Sequence, residues 1–448
     1  MPNALIILAA GRGTRMQSDR AKVLHEIAGA PLVAHALESA AGLEASRVVV
    51  VTGHDADAVE VAVADHAPHA EFARQEEQLG TGHAVLQARE ALAGHEGPAF
   101  VLYGDTPFIR GETLEAMAAA LADASLVVLG FEAADPGRYG RLVTEGDRLL
   151  RIVEWKDASE AEREISLCNS GVLAGDAALL FDLLGEVTNE NAAGEYYLTD
   201  LPGLAAKRGL VTGVVRCAEA ETMGINSRAE LAAAGALYQA TRRAEAIETG
   251  VVMDAPETVQ FSFDTAVGRD AHIEPYVVFG PGVTVETGAR VRAFSHLEGC
   301  HVSRGAIVGP YARLRPGAEL AEDVRVGNFV EIKAAEIAEG AKVNHLSYVG
   351  DAVIGPATNV GAGTITCNYD GVMKHKTQVG ARAFIGSNTM LVAPVTVGDE
   401  AMTASGSVIT KDVPAGALAI ARAPQANKPG LARKLMDRLR AIKAGKGA

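Results

Sequence analysis

The stretch from Val302 to Ile332, V-S-R-G-A-I-V-G-P-Y-A-R-L-R-P-G-A-E-L-A-E-D-V-R-V-G-N-F-V-E-I, decides the fold of half the chain. An aliphatic residue returns at every sixth position: Val302, Val308, Leu314, Leu320, Val326 and Ile332. Going back, after one step of five, the series runs through Leu297, Val291, Val285, Phe279, Ile273 and Val267. Going forward it continues at Ile337, Val343, Val349, Ile354 and Val360, breaks from Thr366 to Gln378, and returns at Val379, Ile385, Leu391 and Val397. A small residue often follows, as at Gly268, Gly309, Gly327, Gly350, Gly355 and Gly398. A period of six matches neither a helix nor a two-residue strand repeat, but it marks a β-helix built of hexapeptides. One aliphatic residue per face points to the axis, so the positions named imply about seven coils of three.

The preceding half follows different rules. Leu5–Ala9, Arg47–Thr52, Ala70–Ala73, Pro98–Tyr103 and Ser125–Phe131 read as short apolar strands, and Pro31–Leu43 and Glu112–Leu121 as helices between them. Such alternation predicts a mainly parallel, doubly wound α/β sheet. Ser227 and Glu230 have capping-box spacing ahead of an Ala-rich run to Glu248, the expected connecting helix. The expected domains are therefore 1–228, a linker helix 229–249, and 250–448 ending in a basic tail from Asn427 that reads as solvated or briefly helical.

With 41 basic and 56 acidic residues the chain carries a net charge of −15, which argues against a general binder of nucleic acid or anionic membranes. Cys168, Cys217, Cys300 and Cys367 form no C-x-x-C pair, so neither a zinc ribbon nor a disulfide framework is indicated. The apolar run Ala4 to Ala10 is far below membrane-spanning length. A soluble cytoplasmic protein is expected.

Leu8-Ala9-Ala10-Gly11-Arg12-Gly13-Thr14-Arg15-Met16 follows the first strand. Its glycines let backbone N–H groups approach a phosphate, yet it is neither a Walker loop nor the dinucleotide fingerprint. Arg15 and Lys22 could add positive charge for a triphosphate. Asp105, in Tyr103-Gly104-Asp105, stands at the carboxyl end of a predicted strand, where open α/β sheets place ligands. Its carboxylate is a hard oxygen donor suited to Mg²⁺. Gln78-Leu-Gly80-Thr81-Gly-His83 is a second glycine-rich loop opening a helix.

Taken in order, L-A-A-G-R-G-T-R-M, Lys22-Val-Leu-His, Q-L-G-T-G-H-A, Y-G-D-T-P, Tyr139-Gly-Arg, Val153-Glu-Trp-Lys-Asp, Asn169-Ser-Gly, Glu195-Tyr-Tyr-Leu-Thr-Asp and Gly224-Ile-Asn226 resemble the sugar-nucleotidyltransferase family. Followed by a hexapeptide β-helix, the set is similar to the bacterial enzymes that join an N-acetylglucosamine-1-phosphate uridylyltransferase to a glucosamine-1-phosphate acetyltransferase. The resemblance implies a Rossmann-like nucleotidyltransferase domain followed by a left-handed parallel β-helix. It implies that Leu8, Ala9, Ala10, Gly11, Gln75, Gly80 and Thr81 hold the uracil and ribose, and that Arg15 and Lys22 contact phosphates. It places Tyr103, Gly104, Gly140, Glu154 and Asn169 around the sugar, and Asp105 and Asn226 on Mg²⁺. Arg12, Ala21 and Trp155 depart from the residues common in the family.

In the β-helix, His345 lies between aliphatic anchors, with Arg315, Lys333, Tyr348 and Asn359 as candidate partners of a sugar phosphate. The acetyltransferase resemblance makes His345 the general base for the glucosamine amine. It lays acetyl-CoA along Ala362, Asn368, Tyr369, Ser387, Ser405 and Arg422, with Ser405 replacing a more usual Ala. It also implies a homotrimer, with UTP, acetyl-CoA and the two sugar 1-phosphates as small-molecule substrates and cell-wall precursors as the destination of the product. The competing expectation is a nucleotidyltransferase with one activity and a regulatory β-helix.

Overall fold

The computed structural model describes residues 2–146 and 148–445, which leaves the last three residues of the basic tail outside it. Two compact units, Met1–Arg242 and Arg243–Ala448, meet within the helix Arg228–Glu248.

In the first unit, Ala4–Leu8 is buried along its whole length, because it lies between parallel partners Arg47–Thr52 and Pro98–Tyr103 and is covered on both faces. Its alternation divides the apolar residues between two layers. Ile6 and Leu8 pack with Val49, Val51 and Val101, whereas Leu5 and Ile7 pack with Val50, Phe100 and Leu102. Each such fully buried aliphatic side chain contributes roughly 1.5–3 kcal/mol. Among the described residues the main sheet has nine strands, in the order Glu71–Arg74, Arg47–Thr52, Ala4–Leu8, Pro98–Tyr103, Leu167–Asp176, Leu126–Glu132, Thr212–Cys217, Arg148–Val153 and Arg141–Glu145. From Ala4–Leu8 the chain first builds outward on one side, then returns to the other with Pro98–Tyr103. The carboxyl ends of these two strands therefore border a crevice, as expected at a topological switch point.

The sheet is more mixed than the sequence suggests. Leu167–Asp176 inserts antiparallel between Pro98–Tyr103 and Leu126–Glu132, and Arg141–Glu145 forms a hairpin with Arg148–Val153. Their sequences carry Asn169, Ser170 and Gly171, or the charged residues Arg141, Glu145, Arg148 and Arg151, so they lack the apolar runs that mark the parallel strands. Leu167–Asp176 is irregular between Asn169 and Leu173, which breaks its pattern further.

The second unit is the left-handed parallel β-helix. One face joins Val267, Val285, Val302, Leu320, Ile337, Ile354, Val379 and Val397 as successive parallel partners. The larger interval between Ile354 and Val379 absorbs a loop of residues 368–376, shorter than the expected interruption, because its ends lie in the strands Ile365–Cys367 and Thr377–Val379, where Thr366 and Thr377 are buried in place of aliphatic residues. Among the described residues another face stacks ten strands, from Val252–Met253 to Leu418–Ala419, more than the seven coils expected. The extra coils are closed partly by residues such as Thr403 and Ala419, which an aliphatic count overlooks.

Its corners need left-handed backbone, and not every corner uses glycine. Tyr276, Phe294, Tyr311 and Phe329 adopt φ values of 60, 60, 55 and 56°. That conformation costs on the order of 1 kcal/mol for an L-residue. Their rings stack along the axis at centroid distances of 4.9, 5.0 and 5.4 Å, an interaction worth about 0.5–1.5 kcal/mol per pair that offsets the strain. All four rings are exposed. Beyond the helix, Leu431–Gly445 forms a fully exposed amphipathic segment from the basic tail.

Close coil stacking makes some glycines irreplaceable for reasons of space. A Cβ at Gly327 would lie 1.9 Å from the Asn344 carbonyl oxygen of the next coil, whereas one at Gly235 would meet nothing within 4 Å. Gly327→Ala should therefore lower stability by about 1–3 kcal/mol through overpacking. Gly235→Ala, in an exposed helix interior, should raise it by about 0.5–1 kcal/mol. Denaturant unfolding of the two variants checks both signs.

Candidate active sites

The crevice at the switch point is a cavity of about 440 Å³. The turn after Ala4–Leu8 contributes Leu8, Ala10 and Gly11, and the end of Pro98–Tyr103 contributes Tyr103 and Asp105. The loop entering the helix Thr81–Gln87 adds Gln75, Gly80 and Thr81, while Lys22 and Asn226 close the far end. Gly80 has φ 116°, and a side chain there would run into the backbone of Tyr196, so glycine is required for this approach. Ala9 and Gly104 belong to the same two turns without lining the cavity; Gly104 N–H donates to the Leu8 carbonyl at 3.0 Å. Arg15 stands exposed on the turn Thr14–Met16 and does not line the cleft.

Two lining residues were quoted only as parts of motifs. Gln78 donates through Nε2 to the Ala10 carbonyl at 2.8 Å, tying the two glycine-rich loops together, and Glu195 faces the same cavity. The orientation of Gln75 is fixed by chemistry: its Nε2 donates to the Gly80 carbonyl at 3.1 Å and contacts His83 Nδ1 at 3.0 Å. That arrangement leaves its amide oxygen as the acceptor available to a ligand.

At the other end, Lys22 Nζ donates to the Asp105 carboxylate and, at 3.1 Å, to Asn226 Oδ1. One carboxylate and one amide oxygen thus already converge on a cation. They suit a hard divalent ion that keeps water and takes further oxygen ligands from phosphates. Among the described residues no group of three or more His, Cys, Asp or Glu could hold a metal alone.

Beside the cleft, Gly140, Glu154 and Asn169 come together: a Cβ on Gly140 would lie 3.5 Å from Glu154 Oε1 and 3.6 Å from Asn169 Cβ. Thr199 Oγ1 donates to Glu154 Oε1 at 3.1 Å. Burial raises the Glu154 pKa above its ordinary value of 4.5, opposed by the Thr199 bond and assisted by Asp157, Asp200 and Glu195. The Tyr103 hydroxyl is likewise pushed up, mainly by burial and then by Asp105. Arg141 of the Tyr139-Gly-Arg motif has a supporting part. It is 2% exposed and donates to the carbonyls of Pro136, Gly137, Tyr139 and Arg163, which fixes the loop bearing Gly140.

In the β-helix, His345 is exposed at a corner, and its Nδ1 lies 3.0 Å from Asn328 Oδ1. An amide oxygen only accepts, so this contact selects the tautomer in which Nδ1 carries the proton and Nε2 the lone pair. Asn328 was not anticipated. The available signal was its register with His345 on the preceding coil. Arg315 pairs with Glu331 at 2.9 Å, and Lys333 lies 4.0 Å from Asp351. Neighbouring Lys374, then burial, lowers the Lys333 pKa despite Asp351, with Arg315 adding to the effect. This is a concentration of positive charge suited to an anion. Tyr348 receives a hydrogen bond at its hydroxyl from Asn368, which also bonds Asp351 and is 7% exposed. Asn368 therefore braces Tyr348 and Asp351 rather than projecting outward. A second cavity of about 400 Å³ includes Tyr348 but neither His345, Arg315 nor Lys333.

The remaining candidates follow the coils. Asn359 is half-buried and pairs with Lys342 and Phe384. Asn388 N–H donates to the Ala362 carbonyl, Gly406 N–H to the Ser387 carbonyl, and Arg422 Nη1 to the Ser405 carbonyl at 2.7 Å. Ala362, Ser387, Ser405 and Arg422 are thereby linked coil to coil. Tyr369 projects from the loop 368–376 and is 61% exposed.

Residues 5–166 match the model of the MobA-like NTP transferase domain. A protein of Ruegeria sp. (strain TM1040) named "Bifunctional protein GlmU" is 68% identical, with 100% of this chain and 99% of the relative covered. Proteins of the same name from Jannaschia sp. (strain CCS1) and Paracoccus denitrificans (strain Pd 1222) are 66% and 65% identical. They cover 99% and 98% of this chain and 98% of each relative. With two site-bearing units aligned end to end at such identity, this chain belongs to the family of bifunctional GlmU proteins.

Proposed function

We propose that the chain performs two consecutive steps in making UDP-N-acetylglucosamine. In the β-helix, the acetyl group passes from acetyl-CoA to the amine of glucosamine 1-phosphate. In the first unit, the resulting N-acetylglucosamine 1-phosphate attacks the α-phosphorus of UTP in line, and pyrophosphate leaves. The observation carrying this reading is the presence of two separately built sites: the Lys22–Asp105–Asn226 cluster in an α/β cleft and the Asn328-oriented imidazole of His345.

Phosphoryl transfer depends chiefly on positioning and charge neutralisation. The glycine-rich turn and the Gln75–Gly80 loop hold the nucleoside end, with the oriented Gln75 oxygen accepting from the imide N–H of uracil. Gly140, Glu154 and Asn169 hold the sugar, and Lys22 contacts phosphates, while Arg15, expected in the same role, stands outside the cleft. Asp105 and Asn226 would hold Mg²⁺, which supplies charge neutralisation on the phosphate oxygens when bound. In acetyl transfer, His345 Nε2 takes the proton of the attacking amine, and Arg315, Lys333, Tyr348 and Asn359 hold the sugar phosphate. Acetyl-CoA runs along Ala362, Tyr369, Ser387, Ser405 and Arg422 beside the braced Asn368.

Among the described residues no helix is long and apolar enough to cross a membrane. We place the chain in the cytoplasm, where its nucleotide and thioester substrates are made, and as a homotrimer. The exposed ladder Tyr276–Phe294–Tyr311–Phe329 supplies apolar surface that association would bury.

Two experiments test this reading. In the folded full-length protein, His345→Ala should lower CoA thiol release by about 10²–10⁴-fold while sparing pyrophosphate release. Asp105→Ala should do the reverse; loss of both activities in either variant would contradict separate sites. Asn328→Ala should reduce the acetyl-transfer kcat by about 10-fold or more through misorientation, with KM little changed. The second experiment is a pH profile. The Glu154 carboxylate is present above its raised pKa and is lost as pH falls through it. The KM for N-acetylglucosamine 1-phosphate should consequently rise on the acid side, starting at a higher pH than an ordinary glutamate would give, and Glu154→Gln should abolish that dependence.

A further inference from the structure

The Asp105 carboxylate and the Asn226 amide oxygen face one another across the end of the cleft, and the Lys22 ammonium bonds to both. The Lys22 and Asp105 side chains are each only 14% exposed, so little water screens the contact. An ammonium and a divalent cation cannot share those oxygens at close range, because like charges in a half-dry site repel strongly. The lysine is also packed to fit this position. Gly13, at φ 65°, presents its bare Cα to the Lys22 stem, where any side chain would lie 2.6 Å from Lys22 Cβ. The glycine-rich loop and the resting place of the ammonium are thus one packed unit.

We propose that Lys22 is the built-in counter-ion of this site: it holds the Asp105/Asn226 oxygen pair closed to free divalent metal and yields it only when nucleotide phosphates draw the ammonium away. The proposal rests on the reading of that pair as the metal-binding oxygens. The phosphates supply Lys22 with replacement anionic partners, and the metal, arriving on the same phosphates, replaces the ammonium on the protein oxygens. Lys22 therefore makes metal binding conditional on nucleotide binding. The coupling is reciprocal: metal binding without nucleotide is weak, and nucleotide binding without metal leaves Asp105 unpaired.

The test uses the full-length protein titrated with Mn²⁺ in the absence of nucleotide, with free Mn²⁺ read by electron paramagnetic resonance. Lys22→Gln and Lys22→Met should bind Mn²⁺ about tenfold or more tightly than the natural protein, whereas Lys22→Arg, which keeps the charge, should bind as weakly. Addition of UTP should strengthen Mn²⁺ binding greatly in the natural protein and little in Lys22→Met. A larger Mn²⁺-induced rise in melting temperature for Lys22→Met would give the same result if the variants are less stable. Equal nucleotide-free affinity in all four proteins overturns the proposal. Asp105→Asn separates it from the reading beneath it. If that variant binds Mn²⁺ with UTP as the natural protein does, the metal site itself is misplaced. If it loses that binding while the Lys22 variants remain unchanged, only the counter-ion role fails.

Discussion

A β-helix coil has no stability alone, because its backbone donors and acceptors point along the axis and its aliphatic residues form only one layer. Each coil is completed by the next, through parallel ladder bonds and contacts such as Val302 on Leu320 and Leu320 on Ile337. This mutual dependence governs the rest of the second unit. It demands a fixed rise between coils, so side chains that would fill the gap are excluded, as at Gly327. It also sets residues one coil apart in register, which places Asn328 beside His345 and Glu331 beside Tyr348. The proposed acetyl-transfer site around His345 is a consequence of that lattice, which the loop inserted between Ile354 and Val379 interrupts.

The first unit obtains a site by different means. Strands buried on both faces fix its centre, and the change of direction between Ala4–Leu8 and Pro98–Tyr103 leaves their ends open to a ligand. Backbone groups and uncharged polar side chains dominate that opening; Lys22 and Asp105 stand together at one end of it, and Glu195 lies beside Gly80. Lys22, Asp105 and Asn226 come from three distant parts of the chain, yet each alone would be a costly half-buried polar group. Their convergence satisfies all three, and in the proposed function they exchange partners when phosphates and a metal arrive.

Supporting residues play the same part in both halves. Arg141 is buried and satisfied by backbone carbonyls, and it holds the Gly140 loop without facing the cleft. Asn368 similarly binds Tyr348 and Asp351 within the β-helix. Both belong to stretches quoted for their chemistry, and in both the side chain acts by positioning a neighbour. Type and spacing cannot separate such a brace from a ligand, because the distinction is one of direction and burial.

The hexapeptide period determined the β-helix by itself, since burying one residue in six on three flat faces has few other solutions. The apolar runs likewise announced the parallel strands, and the glycine-rich turns marked the cleft. Tertiary structure alone decided the insertion of Leu167–Asp176, whose pattern is broken near Asn169, and the coils closed by Thr403 and Ala419. It alone left Arg15 outside the cleft and brought Gln78, Glu195 and Asn328 to the two sites. The physical reason is common to all of these. Periodic burial is written locally along the chain, whereas the direction of a polar side chain depends on partners that only the folded chain brings within hydrogen-bonding distance.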